Sequence, residues 1–577
     1  MLKTQQMIKA RAYFHEQYAD DVLTKIAEAG ILHQTDVLKS LKGHEPHIRS
    51  VEPSEKFFKT TALVSRVQAM LAALKLELQP SGAAVDLISE KEIDTIDQEL
   101  SALEQKYSSM MSRPTSADVT GTAAGGPIEN SEAKQELAEL SKEYGTKLLL
   151  WKQQLENIRT IEEAKSRSAR TSKTFLIEGW IPKGSMDAFD EAVNEGAKGY
   201  CATSYTQPST ETEPHSHEIK SPPPTRIKNP RIAYVYEKLV TGFGLPNYFE
   251  VDPTIFMIIS FPVIFGLMFG DVGHGLILLM LSLLLVAVNK RGVKAQELFE
   301  YMIKGSPLLV MCSIASVFFG FLYGEAFGSG EYYHTIDSFL HEIIGFSIHD
   351  AVKSASHSIE GTLTAIAGFS IPIPFPFEPF EKPMSLLLIS LYVAIIQITL
   401  GLALGLVNQL RKKNYVEAII GPGLWLWFYL GCGYLFLKYK SQLLSVVFQR
   451  GDILGLYIAL PALVMILARS ALHGMDGFGH SLESLISSLS NSISYSRILA
   501  LALTHGAFSR ILLMFLELKG PSLVIVGGLM WAVLTFLLIL CFEGLLSFIQ
   551  TLRLHWVEWF LKFYTGDGYE YRPLRLN

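Results

Sequence analysis

The chain has 577 residues, 49% hydrophobic and 18% charged, with a formal net charge of −6 and a mean hydropathy of +0.25. That balance argues against a nucleic-acid partner, and four cysteines, three of them in apolar runs, give neither a disulfide framework nor zinc spacing. A phosphate-cradling Gly-x-x-x-x-Gly-Lys-Ser/Thr loop is absent, so no ATP-hydrolysing site and no cofactor of the chain's own is expected.

The apolar runs all lie beyond about residue 250, which predicts a soluble front, 1–250, and a membrane-spanning back, 251–577. No charged n-region followed by an apolar h-region opens the sequence, so the front is expected to be cytoplasmic. Met7 to Phe14 reads as a strand, Gln17 to Ala29 as a helix and Gly30 to Val37 as a second strand. Thr174 to Ile181, Met186 to Asn194 and Gly199 to Ser204 repeat the pattern. Two βαβ halves predict one small α/β lobe, from 1–50 and 173–205, with 54–171 inserted between them. In the insertion, Ile93, Ile96, Leu100, Leu103, Tyr107 and Met110 recur by three and four, as do Leu137, Leu140, Tyr144, Leu148, Trp151, Leu155 and Ile158. Ser112 to Pro127, with its Gly and Pro, breaks the pattern, so the two runs are expected to fold back as an antiparallel coiled-coil arm. A linker, 206–250, begins with a Ser, Thr, Pro and Glu-rich stretch. In it Glu213, His215, His217 and Glu218 carry the atoms a metal would need, although such a run is more often a solvated linker.

Eight apolar segments follow, roughly 254–270, 272–289, 303–324, 384–409, 417–437, 452–470, 481–517 and 521–562, each long enough to span a bilayer. From a cytoplasmic start, Lys290 to Lys304, Arg411 to Lys413 and the tail with Arg572 and Arg575 fall inside, as the excess of cytoplasmic positive charge requires; Lys438, Lys440 and Arg450 run against it. The external stretch Ser329 to Lys382 has no assigned role. The last two segments, of ~37 and ~42 residues, would be ~55 and ~63 Å long against a hydrocarbon thickness of ~30 Å, so they must tilt, kink or protrude.

These two segments carry charges that a bilayer tolerates poorly. Arg497 lies in Ser494-Tyr-Ser-Arg-Ile-Leu-Ala-Leu-Ala-Leu-Thr-His505, and Arg553 follows Glu543 and Gln550 in the next segment. A charge at mid-bilayer costs about 2.5–3.5 kcal/mol on insertion scales, so such residues usually face a protein interior or a water-filled path. Glu483, fourteen residues before Arg497, is ~21 Å along the axis on nearly the same face, with His505 beyond. Glu543, Gln550 and Arg553 fall on one stripe of the returning helix. Acids reaching opposite surfaces from a positive centre suit two offset half-channels with a barrier between them. The rival reading of each residue is a hydrogen-bonded or interfacial side chain with no part in transport; Arg553 in particular would sit at the interface of an untilted helix beside His555, Trp556 and Glu558.

These stretches, together with Phe265-Gly-Leu-Met-Phe-Gly-Asp-Val-Gly-His-Gly275, resemble the membrane stator subunit (subunit a, or subunit I) of V/A-type rotary ATPases, and the resemblance spans nearly the whole chain. Leu32-His33 and Gly179-Trp-Ile-Pro182 resemble the family's proximal lobe. Asp271 and His274 in the glycine-rich motif read first as packing. The resemblance implies a mainly α protein: the α/β lobe and coiled-coil arm, then an eight-helix transmembrane bundle with two long tilted helices. It also implies a prokaryotic cell membrane, H⁺ or Na⁺ as the ion, and as partners a ring of small membrane subunits whose carboxylates carry the ion. Peripheral stalks would dock on the lobe, and the central-stalk adaptor and ATP-hydrolysing head would couple indirectly. Family members carry a second lobe at the arm's tip, where this sequence has only a loop. A self-contained secondary transporter would show related halves, which the sequence lacks, and a pure scaffold would not need arginines and acids in its apolar spans.

Overall fold

The computed structural model describes residues 5–37, 49–74, 90–111, 131–208, 222–292, 297–345, 382–439, 455–516 and 521–576, with 347, 350–351, 354 and 379. The loop 112–127, the residues 213–218 and most of 346–381 lie outside the described residues. The chain forms two compact units, one of Thr225–Tyr569 and one of Gln5–Pro224 with Glu570–Asn577. The divide therefore falls at 224/225 and not at 250, and the tail belongs with the front.

In the front unit, β1 (Met7–His15) is antiparallel to both β5 (Thr174–Pro182) and β6 (Cys201–Thr206). On the other edge of β5 lie β2 (His33–Gln34) and β4 (Ala169–Arg170), and β3 (Arg49–Ser50) extends the sheet from β4. The two strands of each βαβ half run parallel but are not neighbours: β5 separates β1 from β2, and β1 separates β5 from β6. This split βαβ arrangement interlocks the halves into one lobe. Helices α1 (Ala19–Ala29) and α5 (Met186–Gly196) pack on the sheet through Val22, Leu23, Ile26, Phe189 and Val193 against Ala10, Ala12, Phe175 and Ile177. Gly196 allows their close approach, since a Cβ there would stand 2.6 Å from the Val22 Cα. On β5, Glu178 is fully buried but paired with Lys9 at 2.7 Å and Arg11 at 2.6 Å, which offsets the cost of burying it.

The insertion holds three helices, α2 (Glu55–Ala73), α3 (Glu90–Met111) and α4 (Ser131–Ser166). Val67, Leu71, Ile96, Leu100, Leu148 and Leu155 share one seam. Lys147 pairs with Glu99, and Lys106 with Glu143, which sets α3 and α4 antiparallel. Lys59 pairs with Asp94 and Arg66 reaches Asp97 and Glu104, so α2 runs beside α3 in the same sense. The expected two-run seam is thus a three-helix one. Of the residues periodic by three and four, Ile93, Ile96, Leu100, Leu103, Leu140, Leu148, Trp151, Leu155 and Ile158 are buried, because each run faces two neighbours.

Among the described residues of the second unit, six helices are long and apolar enough to cross a membrane: Val272–Lys290, Phe299–Tyr323, Pro383–Arg411, Tyr415–Tyr439, Gly455–Leu513 and Val524–Lys562. Thr254–Met268 is apolar but only 15 residues long. The segments expected at 452–470 and 481–517 are one run that folds back at Gly474, whose φ of 63° is in the left-handed region that glycine tolerates. Past the fold, Gly477 lies so close to Arg469 that a Cβ would stand 2.1 Å from its carbonyl. The helix breaks again at Tyr495 and Ser496, and a new one starts at Arg497. The last segment passes from α (Pro521–Leu534) to π (Thr535–Glu543), back to α (Gly544–Arg553), then to π (Leu554–Trp559). Of the remedies for excess length, the first long helix therefore uses kinks, and the second uses local unwinding into wider turns.

Candidate functional site

The buried end of the site is built on the glycine-rich motif. Gly320 and Gly273 let two helices close together, since Cβ atoms there would meet the Val272 nitrogen at 2.4 Å and the Phe327 ring at 2.6 Å. At that contact Asp271 caps helix Val272–Lys290, its Oδ1 accepting from the His274 N–H at 2.8 Å and the Phe327 N–H at 3.0 Å. Its Oδ2 accepts from the Gly328 N–H at 2.8 Å. The motif therefore packs, as read from its glycines, and also presents a buried carboxylate.

That carboxylate faces two imidazoles. His274 Nδ1 stands 3.2 Å from Asp271 Oδ1, and His505 Nε2 stands 3.9 Å from Asp271 Oδ2. His505 Nδ1 lies 3.2 Å from Glu543 Oε2. None of the four side chains is more than 2% exposed. His505 and Glu543 are thus brought together as candidates, and Asp271 and His274 join them. Around this cluster the buried oxygens Ser509 Oγ, Thr535 Oγ1, Glu543 Oε1, Ser547 Oγ and Gln550 Oε1 have no hydrogen-bond partner among the described residues. Unpaired buried polar atoms of this density are unusual outside sites that bind water or ions.

Arg497, the first residue of its helix, donates from Nη1 to Glu558 Oε1 at 3.0 Å; Arg497 is 27% exposed and Glu558 2%. Glu558 was missed as a partner because its spacing from Arg553 reads as an interfacial cluster. The π turn Leu554–Trp559 rotates it inward instead, along with His555, whose Nε2 lies 2.7 Å from Ser260 Oγ. Arg553, the last residue before that turn, is exposed, with no hydrogen bond or ion pair among the described residues, so Glu543, Gln550 and Arg553 do not share one environment. No hydrogen bond joins Arg497 to Gln550 among the described residues. A shallow groove lined by Ile486, Leu489, Ile493 and Arg497 runs from the preceding helix across the break, and Ile486, Leu489 and Ile493 are exposed.

On the other side of Arg497, Glu483 lines an open cavity of about 740 Å³ with Glu417, Arg469, Asp476, His480 and Lys562. Its carboxylate lies 3.4 Å from His480 Nδ1, and both side chains are more than 70% exposed. Arg469, a third arginine and one absent from the sequence reading, is buried in the fold-back. It donates to the carbonyls of Ile420 at 3.1 Å, Gly421 at 2.8 Å and His480 at 3.2 Å, and to Ser484 Oγ at 2.8 Å. The order along the two long helices is then open cavity with Glu483 and Lys562, ion pair Arg497–Glu558, buried cluster with His505 and Glu543.

A mainly helical membrane protein with ionisable groups held inside its apolar helices is the class that this fold and site define. Residues 90–336 and 476–576 match the model of the V-type ATPase 116kDa subunit family, and the chain belongs to that family. It is 25% identical over 472 residues to the A-type ATP synthase subunit I of Methanocaldococcus jannaschii, covering 78% of this chain and 62% of that protein. The V-type proton ATPase 116 kDa subunit a 2 of Homo sapiens is 26% identical over 548 residues, covering 70% of this chain and 61% of the human one. The chain spans about three-fifths of the length of the curated relatives it matches.

Proposed function

We propose that the chain is the membrane stator subunit of a V/A-type rotary ATPase, with no ATP-hydrolysing site of its own, in which Glu483 and Glu543 serve two offset half-channels and Arg497 forms the barrier between them. The observation that supports this is the sequence of environments along the two long helices: open cavity, ion pair, buried cluster. An ion reaching Glu483 through the cavity passes to a carboxylate on a ring of small membrane subunits, which the exposed stripe Ile486, Leu489 and Ile493 and the unpartnered Arg553 are suited to face. Once the ring has carried it round, the ion leaves through Glu543 and His505. Opposite Arg497 the ring carboxylate is ionised, because a nearby positive charge favours the charged form. Glu558 holds the guanidinium in place between passing carboxylates, and a planar fork can engage both. Eight crossings, with the front half and tail cytoplasmic, complete the reading, and the α/β lobe docks peripheral stalks.

The test is ATP-driven ion transport by the complex in vesicles. Arg497→Ala abolishes transport while the complex still assembles, Arg497→Lys leaves little or none, and Arg553→Ala costs less. Normal coupled transport in an assembled Arg497→Ala complex overturns the reading. Cysteines at 483 and 543 are reached by an impermeant thiol reagent from opposite sides, and labelling of both from one side refutes the layout.

A further inference from the structure

Asp271, His274 and His505 each bring one ligand atom to a common point, and these atoms all lie within 4.8 Å of one another. The two nitrogens that face the carboxylate, His274 Nδ1 and His505 Nε2, are buried and lie 3.2 and 3.9 Å from its oxygens, with no well-formed hydrogen bond among the described residues. Contacts of this quality satisfy a buried nitrogen only partly, and a cation between the three side chains would be met by all of them. The side chains are also held from behind. Glu543 grips His505 through Nδ1, which fixes the ring and directs Nε2 at Asp271. Ligating histidines are commonly oriented in this way by a carboxylate. Three backbone N–H groups anchor Asp271, and the Phe327 ring packs edge-on against His274, 5.1 Å between centroids.

We propose that this cluster is a binding site for a divalent transition-metal cation, best fitted by Zn²⁺, with His274 Nδ1, His505 Nε2 and one Asp271 oxygen as ligands and the fourth position open. Two imidazoles and a carboxylate form a donor set that suits zinc, whereas Mg²⁺ and Ca²⁺ require six or more oxygens. Bonds of about 2.0–2.2 Å in tetrahedral geometry put ligand atoms roughly 3.4 Å apart. Side-chain rotations closing the cluster by roughly 1 Å are therefore enough. A surface pocket of about 530 Å³, lined by Gly328, Glu331, His334 and Arg510, lies next to the site, since the Gly328 N–H is bonded directly to Asp271. On the reading of His505 and Glu543 as one half-channel, on which this last step rests, the cation blocks that channel.

Cobalt is the probe, because tetrahedral Co²⁺ has visible absorption that Zn²⁺ lacks. The full chain, purified in its complex, is equilibrated with Co²⁺, dialysed and analysed for metal. One Co²⁺ per chain is expected, with visible bands that Zn²⁺ abolishes and that are missing from His274→Ala and His505→Ala; His274→Gln serves where an alanine variant does not assemble. In vesicles, micromolar Zn²⁺ slows ATP-driven transport, EDTA restores it, and His274→Gln raises the Zn²⁺ needed at least tenfold. Bands that persist in both alanine variants, or no metal bound to the wild type, overturn the site while leaving the half-channel reading intact. Metal bound at the site with transport unchanged overturns the placement of His505 and Glu543 in the ion path while leaving the metal site intact.

Discussion

Glu483 and Glu543 lie on either side of Arg497 in very different surroundings. The Glu483 side chain is 72% exposed at the wall of an open cavity, and the Glu543 side chain 2% exposed among imidazoles. An acid in water keeps its solvation and can exchange ions freely, so the protein around it is under little constraint. A buried acid is held only by its partners, and each partner in turn depends on it. The difference teaches that one side of Arg497 is built for access and the other for geometry, and that substitutions on the two sides should fail in different ways.

The largest effect is expected at Asp271. Asp271→Ala removes the acceptor for three backbone N–H groups and the partner of two buried imidazoles, and it should cost about 3–5 kcal/mol, seen as a fall of several degrees in the thermal unfolding midpoint in detergent. Asp271→Asn, which keeps one acceptor oxygen, should lose less. If Asp271→Ala costs no more than Glu483→Ala, the comparison fails.

Next come His505 and Glu543. Each alanine variant should lose about 1–3 kcal/mol, and the double variant should lose less than the sum, by a coupling of about 1–2 kcal/mol. Strict additivity in a double-mutant cycle would mean that the pair does not act as a unit.

Glu483→Gln should change stability by less than about 0.5 kcal/mol, as for most exposed sites, while on the proposed function it lowers transport. A large stability loss there would show that the cavity wall is as constrained as the buried cluster.

The smallest effect belongs to a third imidazole, which any pH scan of the two places has to be read against. His33, partly buried on the lobe and 2.9 Å from the Arg572 backbone, has its pKa held below 6.5, first by burial. The folded state therefore binds fewer protons than the unfolded state. Its contribution is fully present above pH 6.5 and is lost as the pH falls through the lower folded value. His33→Phe should flatten the acid side of the lobe's stability curve, measured by thermal unfolding between pH 5 and 7.5; an unchanged slope would show that another group is responsible.

Much of this was legible in the sequence. Ile93, Ile96, Leu100, Leu148 and Leu155 of the periodic runs lie in the buried seam, and Arg497, His505 and Glu543 stood out as candidates because a polar or charged group inside an apolar run is costly wherever the chain folds. The strand partners were not legible, since interlocking depends on pairing across more than 160 residues. Nor was the break after Ser494, which has no Pro or Gly to announce it; there Tyr495 donates to Gln397, 98 residues away, at 3.0 Å. Glu558 was hidden for a related reason. A spacing argument assumes α-helical turns, and the wider π turn Leu554–Trp559 carries that residue inward. Asp271 and His274 looked like packing because their partner His505 lies more than 200 residues further along the chain.

The tail that follows the membrane helices has a consequence in time. Tyr571 donates to the Ile31 carbonyl, 540 residues away, the Leu574 N–H to that of Leu32, and the Leu576 N–H to that of Ala27, while Leu574 and Leu576 pack against the lobe's core. Synthesis at about 5–20 residues per second separates the two partners by roughly half a minute to two minutes. The lobe that is begun first is therefore finished last: throughout the insertion of the membrane helices, its open edge and the apolar patch beneath the tail are available to chaperones and proteases.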